Sequence, residues 1–226
     1  MDISKFQDVF NPANVTENLH IVGCGSVGSC LAELLARSGL TRFHLWDFDH
    51  VEAKNIANQM FFDSQIGKEK THALADVLTA INPDIEKSIV LHNNGWNGEE
   101  LDGYVFLCLD NIDLRREVVK ANQYNPEVVA CFDIRTGLYD AQIYAADWAV
   151  VAEIKNLLHT MNFSHEEAQA ETPVSACGDT LGVADTVRLA TTVCVMNFKR
   201  FLTTGKVKKS TMVTTDLDIN GVVLSV

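Results

Sequence analysis

The stretch HIVGCGSVGS, residues 20–29, constrains the fold more than any other part of this chain. It places Gly23, Gly25 and Gly28 after a short apolar run and before LAELLARSG, whose apolar residues recur at helical spacing. Glycines in this order permit a tight strand-to-helix turn, in which backbone amides and a helix N-terminus point at one spot. The stretch therefore predicts a strand–turn–helix unit whose turn can hold a phosphate group.

Strand and helix patterns continue to alternate beyond this unit. An apolar run without polar interruption, as in YVFLCLD, is typical of a central parallel strand covered on both faces. The further elements of this part are predicted to be the strands RFHLWDFD, IEKSIVLHN, YVFLCLD and EVVACFDIR and the helices KEKTHALADVLTAIN and NIDLRREVVKANQY. Repeated strand and helix units of this kind indicate a mainly parallel sheet.

The second half of the chain departs from this alternation. The strand YDAQIYAAD follows its predecessor too closely for a helical crossover, so we expect it to pair antiparallel. Residues 149–181 are expected to form a crossover-type loop region with one or two short helices. The long pattern GVADTVRLATTVCVMNFKRFLTTG predicts a helix that packs on the sheet, and TMVTTDLDINGVVLSV predicts a hairpin with its turn at Asn220-Gly221.

Together these elements predict an α/β fold of the Rossmann-like type. We expect a three-layer sandwich with a parallel sheet, an antiparallel extension and a C-terminal hairpin, formed as a single domain by residues 1–226. Hydrophobic residues make up 47% of the chain, which is enough for a sizeable core. The N-terminus lacks the basic flank and apolar segment of a signal peptide, and no apolar run could cross a bilayer, so a cytoplasmic protein without a membrane partner is expected.

Charge and cysteine content narrow the possible partners. A net charge of −12 argues against a nucleic-acid partner, because binding to a phosphate backbone depends on clustered Lys and Arg. The six cysteines are scattered without any Cys-x-x-Cys pair, so neither a disulfide framework nor a zinc site is expected.

An acidic residue after the second predicted strand bears on the ligand of the glycine turn. Asp47 stands 19 residues after Gly28 (47 − 28), where a carboxylate can accept hydrogen bonds from ribose hydroxyls. These two features alone are compatible with an NAD-dependent oxidoreductase. The next residues, however, supply another carboxylate, an amide and a lysine, which suit a triphosphate and its metal, and no hydride-transfer acid or base is evident.

Four motifs downstream of the glycine turn extend this pattern. They are Asp47-x-Asp49-x-Val51-Glu52 followed by Asn55 and Gln59, then Gly67-Lys68-x-Lys70, Ile81-Asn82-Pro83 and Asp110-Asn111-x-x-x-Arg115. In order and spacing, the chain from about residue 19 to 116 resembles the ThiF, MoeB and HesA adenylyltransferases, which share their fold with the activating enzymes of ubiquitin and ubiquitin-like proteins.

The resemblance implies a reaction and its reactants. Such enzymes use ATP and Mg²⁺ to join the C-terminal carboxylate of a small ubiquitin-like or sulfur-carrier protein to AMP, and they release pyrophosphate. The implied partner is a β-grasp protein that ends in Gly-Gly, and the implied assembly is a homodimer. A non-catalytic scaffold that binds a ubiquitin-like partner remains an alternative.

The resemblance also implies roles for individual residues. The turn of Gly23, Gly25, Ser26 and Gly28 would approach the ATP phosphates, Asp47 would hold the ribose, Asn55 and Lys70 would contact the phosphates, and Asp110 would bind magnesium. Asp49 and Asn58 complete the expected set of ATP-binding residues. Arg115 would orient the loop that precedes it. Taken singly, the two aspartates could instead cap a loop, Lys70 could be an exposed first-turn residue and Arg115 could lie on a solvated helix face.

The chain departs from the family pattern at several positions. Asn58 stands where the family commonly has an arginine, which leaves a substitute, a slow enzyme or a scaffold as possibilities. Arg135, just past a central strand, is our candidate substitute, with a salt bridge to Asp133 or Asp140 as the competing interpretation. Cys177 is a candidate acceptor of the activated carboxyl, and a packed or spectator thiol is the alternative.

Overall fold

The computed structural model describes residues 1–174, 182–216 and 224–225. Its strands are β1 (Leu19–Val22), β2 (Phe43–Trp46), β3 (Val90–His92), β4 (Gly103–Leu107), β5 (Val128–Thr136), β6 (Asp140–Asp147), β7 (Ser210–Thr214) and β8 (Leu224–Ser225). Its α-helices are α1 (Ser26–Arg37), α2 (Lys70–Ile81), α3 (Ile112–Asn122), α4 (Val151–His159), α5 (His165–Glu171) and α6 (Ala184–Thr204). The strands form one eight-stranded sheet in the order β3-β2-β1-β4-β5-β6-β7-β8.

The parallel half of the sheet is the part predicted from strand and helix alternation. Strands β3, β2, β1, β4 and β5 pair parallel, and every residue of β4 is buried, as its unbroken apolar sequence predicts. Beyond them, β5–β6, β6–β7 and β7–β8 pair antiparallel, which confirms the antiparallel extension and the pairing of the C-terminal strands. The predicted turn at Asn220-Gly221 lies outside the described residues.

Helices cover both faces of the sheet and complete the three layers. On one face, α1, α2 and α6 enclose a core in which Phe106 and Phe132 stack with 5.2 Å between ring centroids. Phe198 of α6 meets both rings edge-on, which confirms that this helix packs on the sheet. On the other face, α3 and α4 bury a second cluster that includes Val105 and Leu107. None of the helices in the described ranges is long and apolar enough to span a bilayer.

The third strand is shorter than predicted. The pattern IEKSIVLHN suggests a strand over the whole stretch, but a 3-10 helix occupies Pro83–Lys87 and β3 begins only at Val90. The cause is local, because Asn82 Oδ1 accepts a hydrogen bond from the Asp84 amide and Pro83 favours a first helical turn.

Three histidines and a tryptophan lie together on β1, β2 and β3. His20 Nε2 lies 2.6 Å from Asp102 Oδ1, and His20 Nδ1 accepts a hydrogen bond from Trp46 Nε1 at 3.1 Å. His44 Nδ1 lies 3.2 Å from His92 Nε2, and the His92 ring stacks on Trp46 with 3.4 Å between centroids. Burial lowers the pKa of all three histidines, that of His44 to about 4. They are therefore neutral at pH 7.

This cluster predicts that the melting temperature falls as the pH is lowered from about 6.5 towards 4. The unfolded chain takes up protons near the ordinary histidine pKa of about 6.5, whereas the folded chain resists protonation until lower pH, so acid favours unfolding. Substitution His44→Gln should flatten this slope, and substitution of the exposed His159 by Gln should leave it unchanged. Calorimetric melting curves across this range measure the slopes, and equal slopes in all three proteins would contradict the prediction.

Candidate nucleotide-binding site

The carboxyl ends of three parallel strands meet at one edge of the sheet. Val22 of β1 is in register with Trp46 of β2 on one side and with Leu107 of β4 on the other. The amide of Gly23 donates to the Trp46 carbonyl and the amide of Cys108 donates to the Val22 carbonyl, both at 2.8 Å. The loops after these strands are therefore held side by side, at the edge where open α/β sheets bind their ligands.

The three glycines of the first loop serve different purposes. Gly23 has φ +95°, and a Cβ there would lie 2.8 Å from the Cys108 carbonyl oxygen. A Cβ on Gly28 would lie 1.8 Å from the Gly23 carbonyl oxygen, so backbone packing requires both glycines. Gly25 caps α1, whose first residue is Ser26, and in the described part of the chain no atom lies within 4 Å of a Cβ at this position. The turn thus presents an unobstructed helix N-terminus, which favours an anion.

Asp47 joins the loop after β2 to the glycine turn. Its Oδ2 accepts a hydrogen bond from the Cys24 amide at 2.7 Å, and its Oδ1 accepts one from the Asp49 amide at 2.8 Å. These are the contacts that the loop-capping interpretation predicts. Burial raises the pKa of the Asp47 carboxyl above its ordinary value, while these two hydrogen bonds and the nearby Lys70 oppose the rise.

Lys70 lies at the start of α2, and only 8% of the residue is exposed. Its Nζ donates to Asp49 Oδ2 at 2.8 Å, and its amide donates to the Asp49 carbonyl at 2.9 Å. The alternative of an exposed first-turn lysine is therefore wrong. Asn55 is also buried, and its Oδ1 accepts a hydrogen bond from the Glu52 amide at 2.8 Å. A buried cation and a buried amide thus border the loop that contains Asp49.

Asp110 follows β4 at the same edge and is exposed. In the described part of the chain its side chain forms neither a salt bridge nor a hydrogen bond. The adjacent Asn111 caps α3, because its Oδ1 accepts hydrogen bonds from the amides of Asp113 and Leu114 at 2.9 and 3.1 Å. The end of β4 thus leaves one carboxylate available to a ligand.

Arg115 is buried and does not lie on a solvated helix face, so that alternative is wrong. Its guanidinium donates to the carbonyls of Leu107 and Leu109 and to the carboxylate of Asp133. It therefore orients the loop between β4 and α3, as the resemblance implies. Arg115 shares the buried face of α3 with Ile112 and Val118, whereas the neighbouring Arg116 lies off that face and donates to carbonyls beyond α4.

Arg135 forms a salt bridge with Asp133, which was the alternative to its role as a substitute for the family arginine. Its Nε donates to Asp133 Oδ2 at 2.7 Å, and its Nη1 and Nη2 donate to the carbonyl and hydroxyl of Thr160 at 2.8 and 2.9 Å. All three guanidinium nitrogens thus have acceptors within the protein. The sequence gives no signal for Thr160, because this residue lies 25 positions from Arg135 and the two meet only in the folded chain. Asn58 Nδ2 lies 3.4 Å from the Gly182 carbonyl oxygen.

The described cysteines do not form a reactive site. Cys24, Cys30, Cys108, Cys131 and Cys194 are buried, and burial raises the pKa of each thiol. Cys177 lies outside the described residues. Within residues 1–174 and 182–216, no group of three or more His, Cys, Asp or Glu side chains is arranged to hold a metal ion.

Comparison with known proteins finds relatives among activating enzymes. The chain is 32% identical over 139 residues to ubiquitin-like modifier-activating enzyme 5 of Dictyostelium discoideum and 34% identical over 145 residues to that of Arabidopsis thaliana. Each alignment covers 54% of this chain, but only 36% and 33% of the relative. The matched region thus spans about a third of these curated relatives.

Solved structures share the fold of this chain. The sequence model of one family also matches most of its residues. The structure of E. coli MccB with AMPCPP and MccA has a TM-score of 0.68 at 18% identity, over 91% of this chain and 64% of that one. MccB with ATP has a TM-score of 0.66 at 19% identity, over the same shares of the two chains. The sequence model of the ThiF family matches residues 15–217. This chain therefore belongs to the ThiF family.

Proposed function

We propose that this protein uses ATP to adenylate the C-terminal carboxylate of a small ubiquitin-like protein or peptide, with release of pyrophosphate. The observation that carries the proposal is the convergence of three loops at one sheet edge. The loops after β1 and β4 supply an open helix N-terminus at Gly25 and an exposed carboxylate at Asp110, and Asp49 of the loop after β2 accepts a hydrogen bond from the buried Lys70 ammonium of α2. The relatives named for activating ubiquitin-like modifiers support the same reaction class.

The chemistry needs charge neutralisation more than proton transfer. A carboxylate is already a nucleophile, so attack on the α-phosphate requires no general base. Negative charge accumulates on the phosphates and the leaving pyrophosphate, and preorganised donors at that place lower the barrier. The amides of Gly25 and Ser26 at the start of α1 and the Lys70 ammonium are the groups suited to this task.

The acidic residues are assigned to two parts of the ligand, the ribose of ATP and its metal ion. We assign the ribose end of the site to Asp47 and Asp49, and a phosphate contact to Asn55 with Asn58 beside it. Asp110 would hold Mg²⁺, because a hard cation that keeps several waters needs only one or two carboxylates besides the phosphate oxygens. When bound, magnesium neutralises phosphate charge. Arg135 is assigned to structure instead, because Asp133 and Thr160 accept hydrogen bonds from all three of its guanidinium nitrogens.

The finer details are part of the same proposal. We expect a homodimer and a β-grasp partner that ends in Gly-Gly. As a second step, the Cys177 thiol would take the acyl group from the acyl adenylate, forming a thioester and releasing AMP. The second candidate function is a scaffold that binds such a partner without turnover. Asn58 favours the scaffold, because the resemblance implies an arginine at this position, and an arginine can be worth orders of magnitude in phosphate chemistry.

Pyrophosphate exchange into ATP tests catalysis directly. With peptides or small proteins that end in Gly-Gly, the wild type should exchange pyrophosphate, and Asp110→Asn should lower the rate by about 100-fold, since a catalytic metal supplies several kcal/mol. Glu117→Gln is the matched control, because it removes an exposed carboxylate from the adjacent helix α3 and should keep the wild-type rate. ATP binding without exchange for any acceptor would support the scaffold instead.

A further inference from the structure

Asp133 is the most deeply buried carboxylate near the proposed site and takes no part in the chemistry above. It is 0% exposed and lies on β5, in register with Leu107, the last residue of β4. Its Oδ1 accepts a hydrogen bond from Arg115, and its Oδ2 accepts one from Arg135. One carboxylate therefore holds two guanidinium groups that come from a helix and from its own strand.

Each of these arginines fixes a different segment of backbone. Arg115 donates to the carbonyls on both sides of the Cys108 residue, those of Leu107 and Leu109. The Leu109 carbonyl belongs to the planar peptide group that contains the Asp110 amide, so holding it fixes the peptide plane from which the Asp110 side chain starts. Arg135 similarly holds Thr160 at the end of α4.

The Asp133 carboxylate compensates a buried cation. A guanidinium cannot lose its proton in a protein, so the nearly buried Arg115 would otherwise be an uncompensated charge. A lysine could match the charge of Arg115 but not its planar fork, which reaches two carbonyls and a carboxylate at once. The carboxylate and the fork therefore act as one unit beneath the loop that contains Asp110.

We propose that Asp133 is a positioning residue for the metal site. It acts on Asp110 indirectly, by holding Arg115. The proposal rests on the proposed function, because it takes Asp110 as the magnesium ligand. It assigns to Asp133 and Arg115 the task of presenting that carboxylate in one orientation. Partners that hydrogen-bond directly to metal ligands change metal affinity by about 10- to 100-fold when they are removed, and we expect the lower end for Arg115, which holds the peptide group before the ligand.

The experiment is a titration of ATP affinity against Mg²⁺, with EDTA as the metal-free reference. In Arg115→Lys and Asp133→Asn, the Mg²⁺ concentration for half-maximal tightening of ATP binding should rise about tenfold, while affinity in EDTA stays within about twofold of the wild type. Adding Arg115→Lys to Asp110→Asn should cause no further loss, because the positioned group is then gone. If Asp133→Asn does not fold, Arg115→Lys alone decides.

A control variant and a second measurement separate positioning from general stability. Arg116→Lys changes the same residue type on the same helix, but Arg116 contacts the carbonyls of Met161 and Phe163, so its Mg²⁺ titration should match the wild type. In ligand-free protein, amides of residues 107–112 should exchange hydrogen faster in Arg115→Lys than in Arg116→Lys.

The outcomes distinguish this inference from the proposed function. A wild type that does not bind ATP overturns the proposed function and this inference with it. A wild type that binds ATP with magnesium, together with an Arg115→Lys variant that shows unchanged Mg²⁺ dependence and unchanged exchange at 107–112, overturns the inference alone. A lower melting temperature without either change also contradicts positioning, because it would show a merely structural role.

Discussion

Substitution Lys70→Met is expected to weaken ATP binding and to lower any exchange rate by about 100-fold, the cost of removing one preorganised charged donor. The fold should survive, because Asp49, whose side chain is 51% exposed, can be hydrated once its partner is lost. Calorimetric titration with ATP and magnesium measures the affinity. The melting temperature checks the fold in the same samples.

Lys68→Met supplies the matched control for this prediction. Lys68 lies two positions earlier in the same segment, but its side chain is 40% exposed and pairs with Asp76, away from Asp49. Its removal should change ATP affinity by less than about twofold, since an exposed ion pair contributes little. Equal losses in both variants would show that only the general charge of the region matters. No loss in Lys70→Met would remove this lysine from the site.

The glycine turn yields the second large prediction, a pair of alanine variants with opposite effects. Gly28→Ala places a Cβ where the Gly23 carbonyl oxygen would be only 1.8 Å away, so the backbone must shift. We expect a loss of roughly 3 kcal/mol or more in the free energy of unfolding, at the upper end for overpacking. For a chain of this length, each kcal/mol lowers the melting temperature by about 2–4 °C.

Gly25→Ala should keep the stability of the fold but weaken ATP binding. Among the described residues no atom lies within 4 Å of a Cβ at this position, and φ is −74°, outside the left-handed region that favours glycine. The melting temperature should therefore stay within a few degrees of the wild type, while a methyl group in front of the helix N-terminus should weaken ATP binding by at least about tenfold, or 1.4 kcal/mol. Unchanged affinity in Gly25→Ala would mean that the phosphates do not approach this turn.

The fold could be predicted largely because its signals are local. The glycine turn, the apolar run of β4 and the short gap before β6 each depend on neighbouring residues, and together they imply both the parallel sheet and its antiparallel extension. The predicted extent of β3 was wrong, because a capping Asn82 and the following proline favour a 3-10 helix over an extended strand.

The site could be predicted only in part because its contacts join distant residues. The motifs predict the candidate residues, but the burial of Lys70 depends on how α2 meets the loop that contains Asp49. Helical spacing places Arg115, and not Arg116, on the buried face of α3 with Ile112 and Val118, but its partner Asp133 lies on a different element, β5. Contacts of this kind follow from the sheet register, which the sequence alone does not specify.

The central claim is that the glycine turn, Lys70 and Asp110 converge on one nucleoside triphosphate. Calorimetric titration of the wild type with ATP and magnesium, and separately with NAD, tests it most directly, because a ligand that binds the folded chain gives saturable heat and also raises the melting temperature. The account predicts one saturable ATP site per chain that tightens with magnesium, and no heat from NAD. Saturable binding of NAD without binding of ATP would contradict it.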